Sequence, residues 1–215
     1  MKTKVLLITT ILITLFTACG IFKKTTNSTT YDEGVVINGV RWATRNVDEP
    51  GTFAPTPESY GKFYQWNRKK AWGATYNDLS ENVYEYPEDW NNRMPKGTKW
   101  KKINDPSPKG WRVPVLEEIK SLLDKNKVSS EWINNGYKFT DKETGNSIFF
   151  PAKLSRYLDG LFYRHTDGYY WSSTQRGNKE AHCLHFYIRY DSRTHVCSAY
   201  EYRGSRGLFV RPVKK

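Results

Sequence analysis

The chain has 215 residues, with 34 Lys and Arg against 22 Asp and Glu, a formal charge of +12 and 38% hydrophobic residues. A mean hydropathy of -0.75 with a single apolar run excludes a multi-pass membrane protein, while 8 Trp, 15 Tyr and 10 Phe supply enough bulk for a core and exclude a disordered chain. The 3 Cys and 4 His are too few for a multi-disulfide scaffold or a multi-zinc protein, so function has to come mostly from surface shape.

Residues 1–18, MKTKVLLITTILITLFTA, have two lysines, an apolar stretch from Val5 to Phe16 and small residues before Cys19-Gly20, the pattern of a signal peptide. The stretch is short for a membrane-spanning helix. Phe16-Thr17-Ala18-Cys19 resembles the lipobox of bacterial lipoproteins, with Phe where Leu is usual. That resemblance makes Cys19 the lipidated first residue of an outer-membrane lipoprotein, facing the periplasm or the surface. Removal of the leader takes two lysines and leaves a charge of +10. Residues 19–34, rich in Thr, Ser, Asn and Lys without apolar period, read as a flexible tether from membrane to domain. The basic charge does not point to nucleic acid, because the lysines are scattered among acidic neighbours rather than gathered on one helix.

The folded domain is expected over residues 35–215. VVINGVRWATRNV places β-branched residues around Asn38-Gly39 and predicts a hairpin. Tyr60, Phe63, Tyr64, Trp66 and Trp72 crowd together as core. Residues 73–110, with Pro87, Pro95, Pro106 and Pro108 among Asn, Asp and Trp, read as a long ordered loop region, since so much aromatic surface is costly to leave in water. In GWRVPVLEEIKSLLDKNK the spacing puts Leu116, Ile119, Leu122 and Leu123 on one face of a helix that starts at Pro114. Glu117 and Glu118 near its start, and Lys125 and Lys127 near its end, suit the helix dipole. The last third is strand-like in LFYRH, GYYWSST, AHCLHFYIR, THVCSAY and GLFVRPV. The sum is an α+β domain: one principal helix on antiparallel sheet, with long ordered loops.

ING-V-RWATRNVD, YGKFYQWN, DPSPKGWRVPVLEEI, YYWSST and GLFVRPV stand in this order from about Ile37 to Val213. The series resembles the Fibrobacter succinogenes major paralogous domain of Bacteroidota lipoproteins. The resemblance implies a C-type-lectin-like fold, in which a helix packs on a twisted antiparallel sheet and the C-terminal strands present a binding face. Val115 stands where such sequences often carry Thr or Ser, which removes the usual side-chain cap of the helix. Calcium-dependent sugar binding in C-type lectins rests on two carboxylate-bearing loops. Trp90-Asn91-Asn92 is only a partial echo of one of them, so no metal site is expected.

Residues 181–207 hold three of the four His, both Cys outside the leader and four Arg, with no Lys. Such a set is what Asn codons yield when their adenines are randomised, a process that cannot give Lys. The stretch resembles the variable region of diversity-generating retroelement targets, which randomise one face of a rigid C-type-lectin-like frame. Strand alternation sends Leu184, Phe186 and Ile188 to the core and Cys183, His185, Tyr187 and Arg189 outward. The plainer alternative is an amphipathic strand with drifting surface residues. The candidate binding set is Cys183, His185, Tyr187, Arg189, Asp191, Arg193, His195, Cys197, Tyr200, Tyr202 and Arg203, with Tyr187 and Arg193 dominant.

A turn centred on Tyr190 would set Cys183 against Cys197, His185 against His195 and Tyr187 against Arg193. Three readings of that cluster stay open. A cross-strand disulfide suits an exported protein but strains the bridge. A Cys2His2 metal site needs a bent sheet. The third is exposed residues with no common task. No catalytic triad order, phosphate loop or paired carboxylate emerges. Formylglycine-generating enzymes share the implied fold and use cysteines, but their wider active-site sequence is missing. The expectation is a monomeric binder of a protein or glycan, without enzymatic activity or cofactor. The rival class is a structural or fimbria-associated module docking a fixed partner.

Overall fold

A computed structural model of the chain describes residues 29–73, 97–152, 167–177, 180–188, 194–203 and 206–215, the stretch 194–203 by its backbone. The leader with Cys19, Trp90-Asn91-Asn92 and the LFYRH segment lie outside the described residues.

Asn38 (φ 44°) and Gly39 (φ 79°) form the two-residue turn between β1 (Val35–Ile37) and β2 (Val40–Trp42), as the Asn-Gly pair predicts. The turn is held from below, because Asp141 accepts the Asn38 N–H at 2.7 Å and Asn38 Nδ2 donates to the Ser121 carbonyl at 2.9 Å. The aromatic stretch supplies β3 (Phe63–Gln65) and β4 (Ala71–Trp72). Phe63, Tyr64, Trp66 and Trp72 are buried, with Tyr60 half-buried against them.

β5 (Trp111–Arg112) leads into α1 (Leu116–Leu122), which buries Leu116, Ile119 and Leu122 and half-buries Leu123, the face expected from spacing. The helix stops short of Lys125 and Lys127, which therefore do not complement its last turn; Lys120 does. Asp124 is the reason: its carboxylate takes the Asn126 N–H at 3.0 Å and its carbonyl takes the Lys127 and Val128 N–H groups. An Asx turn thus competes with the next helical turn.

β6 (Val128–Ile133), β7 (Gly136–Asp141) and β8 (Ser147–Pro151) form an antiparallel meander that the sequence reading did not anticipate. Its signal is Asn134-Asn135, both at positive φ, set between alternating apolar residues. A second meander joins β9 (Asp167–Arg176), β10 (Glu180–Ile188) and β11 (Thr194–Arg203). Of the closing strands, β12 (Gly207–Leu208) pairs with β3, and β13 (Val213–Lys214) pairs with both β2 and β5. The C-terminal strand thereby fixes the first hairpin. The described residues thus make antiparallel sheets with one short α-helix.

The β9–β11 sheet is a middle layer between two cores. On one side Leu184, Phe186 and Tyr170 meet Ile119 and Leu122 of α1 and Tyr137, Phe139, Ile148 and Phe150 of the first meander. On the other side Ala181, Cys183, Tyr169 and Trp171 meet Tyr64, Trp66, Trp100, Leu208 and Val210. Gly168 lies opposite Phe186, and a Cβ there would sit 2.2 Å from the Phe186 ring, so only glycine lets that ring lie flat across the strand.

The folded part begins before Val35. Asp32, which the sequence reading placed in the tether, is 5% exposed. It accepts the Gly34 N–H at 2.8 Å and the Thr44 hydroxyl at 2.8 Å, and it pairs with Arg45 at 3.3 Å. A carboxylate so bonded belongs to the domain and not to a linker.

Candidate binding face

Between Trp171 and Gln175, three residues of β9 lie opposite His182 alone on β10, a bulge made of Ser172, Ser173 and Thr174. The bulge frees backbone groups that would otherwise bond within the sheet, and the frame collects on them. Trp66 Nε1 donates to the Ser172 carbonyl at 2.9 Å, and the Trp100 N–H donates to the Ser173 carbonyl at 3.0 Å. The Ser173 N–H donates to the Pro114 carbonyl at 2.7 Å, and Thr174 Oγ1 accepts the Leu116 N–H at 3.1 Å. Val115 has no acceptor in its side chain, so Thr174 and Glu118, which takes the Val115 N–H at 2.8 Å, together cap the helix. Trp171 Nε1 donates to the Tyr64 carbonyl at 2.6 Å. The Trp-Ser-Ser-Thr block is thus a junction of the scaffold.

The closing block behaves likewise. The Phe209 N–H donates to the Tyr169 carbonyl and the Phe209 carbonyl accepts the Trp171 N–H, while Val210 and Pro212 carbonyls accept the N–H groups of Val47 and Ala43. Arg211 is fully buried, donating to Asn46 Oδ1 at 2.7 Å and the Ala43 carbonyl at 3.2 Å. Burial pushes it down to about 10, which leaves it cationic at neutral pH.

The other displaced titrations also lie in scaffold contacts. Burial, helped by Glu49 and Asp48, raises the Tyr64 phenol, which donates to the Asp48 carbonyl. Burial pushes Tyr170 up to about 12 while its hydroxyl donates to the Pro151 carbonyl at 2.6 Å. The Glu118 carboxylate raises Arg112 through two bonds of 2.7 and 2.6 Å.

The candidate residues gather on β10 and β11, in a register that differs from the one expected. Cys183 lies opposite Tyr200, His185 opposite Cys197 and Tyr187 opposite His195. The five-residue connection 189–193 is centred on Asp191 rather than Tyr190, and a register shift between Cys183 and His185 displaces the far end by one more residue. The directly opposed Cys183–Cys197 pair assumed for a disulfide is therefore not formed.

Antiparallel partners share a face, so Cys183, His185, Tyr187, His195, Cys197, Tyr200 and Tyr202 occupy register positions on one side of the sheet. Arg203 pairs with Glu180 and falls on the other side. Arg189, Asp191 and Arg193 lie outside the described residues.

The expectation that Cys183 and His185 point to solvent is overturned: Cys183 is 0% and His185 8% exposed. Alternation holds along β10, but the face it turns away from the first core is covered by the second, which a single strand's pattern does not reveal. Exposure returns at Tyr187, which is half-buried.

At that end sit two residues the sequence reading did not nominate, Asp167 and Tyr169. The Tyr169 ring stacks on His185 at 4.2 Å and 7°, and His185 on Tyr187 at 5.0 Å and 20°. Tyr169 Oη donates to Asp167 Oδ2 at 3.3 Å, and His185 Nε2 approaches the same oxygen at 3.9 Å. The result is a ladder of rings edged by a carboxylate. Only cross-strand pairing reveals it, although the aromatic pair before Trp171 was visible in sequence. Tyr169 and His185 are buried in this ladder, so of its three rings only Tyr187 is partly open to a stacking partner.

No helix among the described residues is long and apolar enough to cross a membrane. No protein-family model, curated protein or solved structure matches the chain.

Proposed function

We propose that the chain is a cell-envelope lipoprotein, anchored through Cys19, whose C-type-lectin-like domain binds a macromolecular or glycan ligand through β10, β11 and the turn between them. The observation that carries this reading is a division of labour. The blocks RWATRNV, YYWSST and GLFVRPV are occupied with bonds inside the frame, whereas Cys183, His185, Tyr187, His195, Cys197, Tyr200 and Tyr202 share register positions on one side of the β10–β11 sheet. A rigid sheet with replaceable side chains at one end is the arrangement a binder needs. The protein is proposed to act without catalysis, and among the described residues Tyr64, Tyr170 and Arg211, whose pKa values are strongly displaced, are bonded within the scaffold.

The test is a glycan and surface-protein binding screen of the domain, comparing wild type with the Tyr187→Ala/Arg193→Ala double variant. Each truncation at a contact centre should weaken binding by about 2 kcal/mol, with the melting temperature nearly unchanged. Ligands held equally by both proteins would place recognition elsewhere.

A fixed structural partner is the second reading, favoured by the burial of Cys183 and His185, which takes two polar positions of the stretch out of reach of any ligand. Sequencing the gene in several isolates separates the two. A diversified binder changes at Tyr187, Arg189 and Arg193 and keeps Cys183 small, and a structural module changes at none of these.

A further inference from the structure

We infer that the tip formed by Lys99, Lys101, Lys102 and Ile103, with Lys69 beside it, docks the domain on a bilayer surface of anionic phospholipid headgroups. Ile103 is 77% exposed, the most open large hydrophobic residue among those described. Lys99, Lys101 and Lys102 are exposed around it. Asn67 joins a second basic segment to them: its Oδ1 accepts the Lys101 N–H at 2.8 Å and Asn104 Nδ2 at 3.2 Å, and exposed Lys69 follows two residues on. None of these four lysines is in an ion pair among the described residues. Asp105, next along the chain, turns its carboxylate to the backbone and accepts the Ser107 and Val113 N–H groups at 2.9 and 3.1 Å.

The tip is held in shape from within. Trp100 points inward between Lys99 and Lys101 and packs edge-on against Trp66 at 5.8 Å. Its Nε1 donates to the Asn104 carbonyl at 2.9 Å, which closes the single 3-10 turn Lys102–Asn104. A lone exposed isoleucine is ordinary on a protein surface. One at the apex of a lysine-lined turn fits a membrane interface, where the apolar side chain enters the acyl boundary and the ammonium groups stay among the phosphates. Because the turn is already formed, little ordering opposes docking.

The N-terminal segment joins the domain at the same end. The Phe53 N–H donates to the Thr29 carbonyl, and the Gly51 N–H donates to the Pro106 carbonyl at 2.8 Å, which sets Thr29 within a few residues of the 102–106 segment. Ten residues separate Cys19 from Thr29, at most about 35 Å of chain. A lipid on Cys19 would therefore keep this tip close to the bilayer. That last step rests on the proposed anchor; the exposed basic tip does not.

The test uses the chain from residue 19 with Cys19→Ser, so that neither a lipid nor the apolar leader contributes; the two large cores draw on residues 37–213 and are retained. Vesicles of phosphatidylethanolamine and phosphatidylglycerol are compared with phosphatidylcholine alone by co-sedimentation. The parent should bind the anionic vesicles and not the neutral ones. Lys101→Glu/Lys102→Glu should weaken binding more than about tenfold, since each lysine at an anionic surface contributes about fivefold. Lys125→Glu/Lys127→Glu, beyond the far end of α1, makes the same change in net charge and should weaken it much less. Ile103→Ser should lower affinity severalfold at unchanged charge. Equal losses in the two lysine pairs would mean that net charge alone binds, and would overturn the proposal, as would an Ile103→Ser protein that binds like the parent. A parent that ignores anionic vesicles also overturns it, whether the tip instead retains a sulfated polysaccharide or is taken by the acidic residues of 74–96. Should the glutamate pair melt without cooperativity, Lys101→Gln/Lys102→Gln replaces it, with the same order of effects. Lipid labelling of Cys19 in cells is read separately, so the anchor and the docking tip can fail independently.

Discussion

Arg211 shows what a single residue costs this fold and how the cost is met in part, since its Nη2 is buried without a hydrogen-bond partner. A guanidinium withdrawn from water needs donors satisfied and charge balanced. Asn46 and the Ala43 carbonyl take its hydrogen bonds, the Phe150 ring lies 4.8 Å beneath it, and the Asp32 and Tyr170 fields partly restore the charged form that burial disfavours. Its position between hydrophobic Phe209, Val210 and Val213 gives no hint of this in sequence, because a basic residue in a strand reads as outward-facing. Asp141 is the acidic counterpart. It accepts the N–H groups of Asn38, Glu143 and Thr144, and these bonds, the Asn38 one foremost, hold its carboxyl below the usual range. A lowered native pKa gives stability that is complete above the unfolded value of about 3.9 and fades as pH falls through the native one. Asp141→Asn should therefore lose less stability than wild type on acidification below about pH 4, as followed by urea midpoints across that range. Parallel curves for the two proteins would show that the carboxylate does not anchor the β1–β2 turn.

At the level of elements, α1 is short enough that its stability must come from packing and capping rather than propensity. Leu122, 1% exposed beneath the first meander, should lose about 2 to 5 kcal/mol on change to Ala, measured by denaturant unfolding. Thr174→Val keeps the shape but deletes the acceptor of the Leu116 N–H, and should cost about 1 kcal/mol. A neutral result would mean that the bulge of β9 does not cap the helix. The helix was legible in sequence because four apolar residues repeat at its own period. Its end was not, since Asp124 and the chain beyond decide between one more turn and an Asx turn. The 128–151 meander went unread for a related reason: Ser129, Ser130 and Glu131 are exposed and polar, and β6 forms only because β7 pairs with it.

For the whole molecule, the proposed lipid anchor predicts that Cys19→Ala should abolish lipid labelling and release the protein from the membrane fraction. Unchanged membrane association without lipid would end the anchor reading. What the sequence by itself determined are the properties written in local chemistry: the Asn-Gly hairpin, the apolar face of α1, the buried aromatic stretch from Phe63 to Trp72, and the gathering of His, Cys, Tyr and Arg in one segment. Each depends on a period or a pair of neighbours, and so survives without knowledge of the partner. The tertiary structure alone decided which side of β10 meets water, because both of its faces alternate correctly and a second core, assembled from Tyr64, Trp66, Trp100 and Val210, far from β10 in the chain, covers the one expected to be free. It also decided the register. Moving the centre of the connection from Tyr190 to Asp191 exchanges every cross-strand neighbour, setting Cys197 beside His185 and leaving Cys183 in the interior, since pairing follows from ladder bonds and bulges that no single strand encodes.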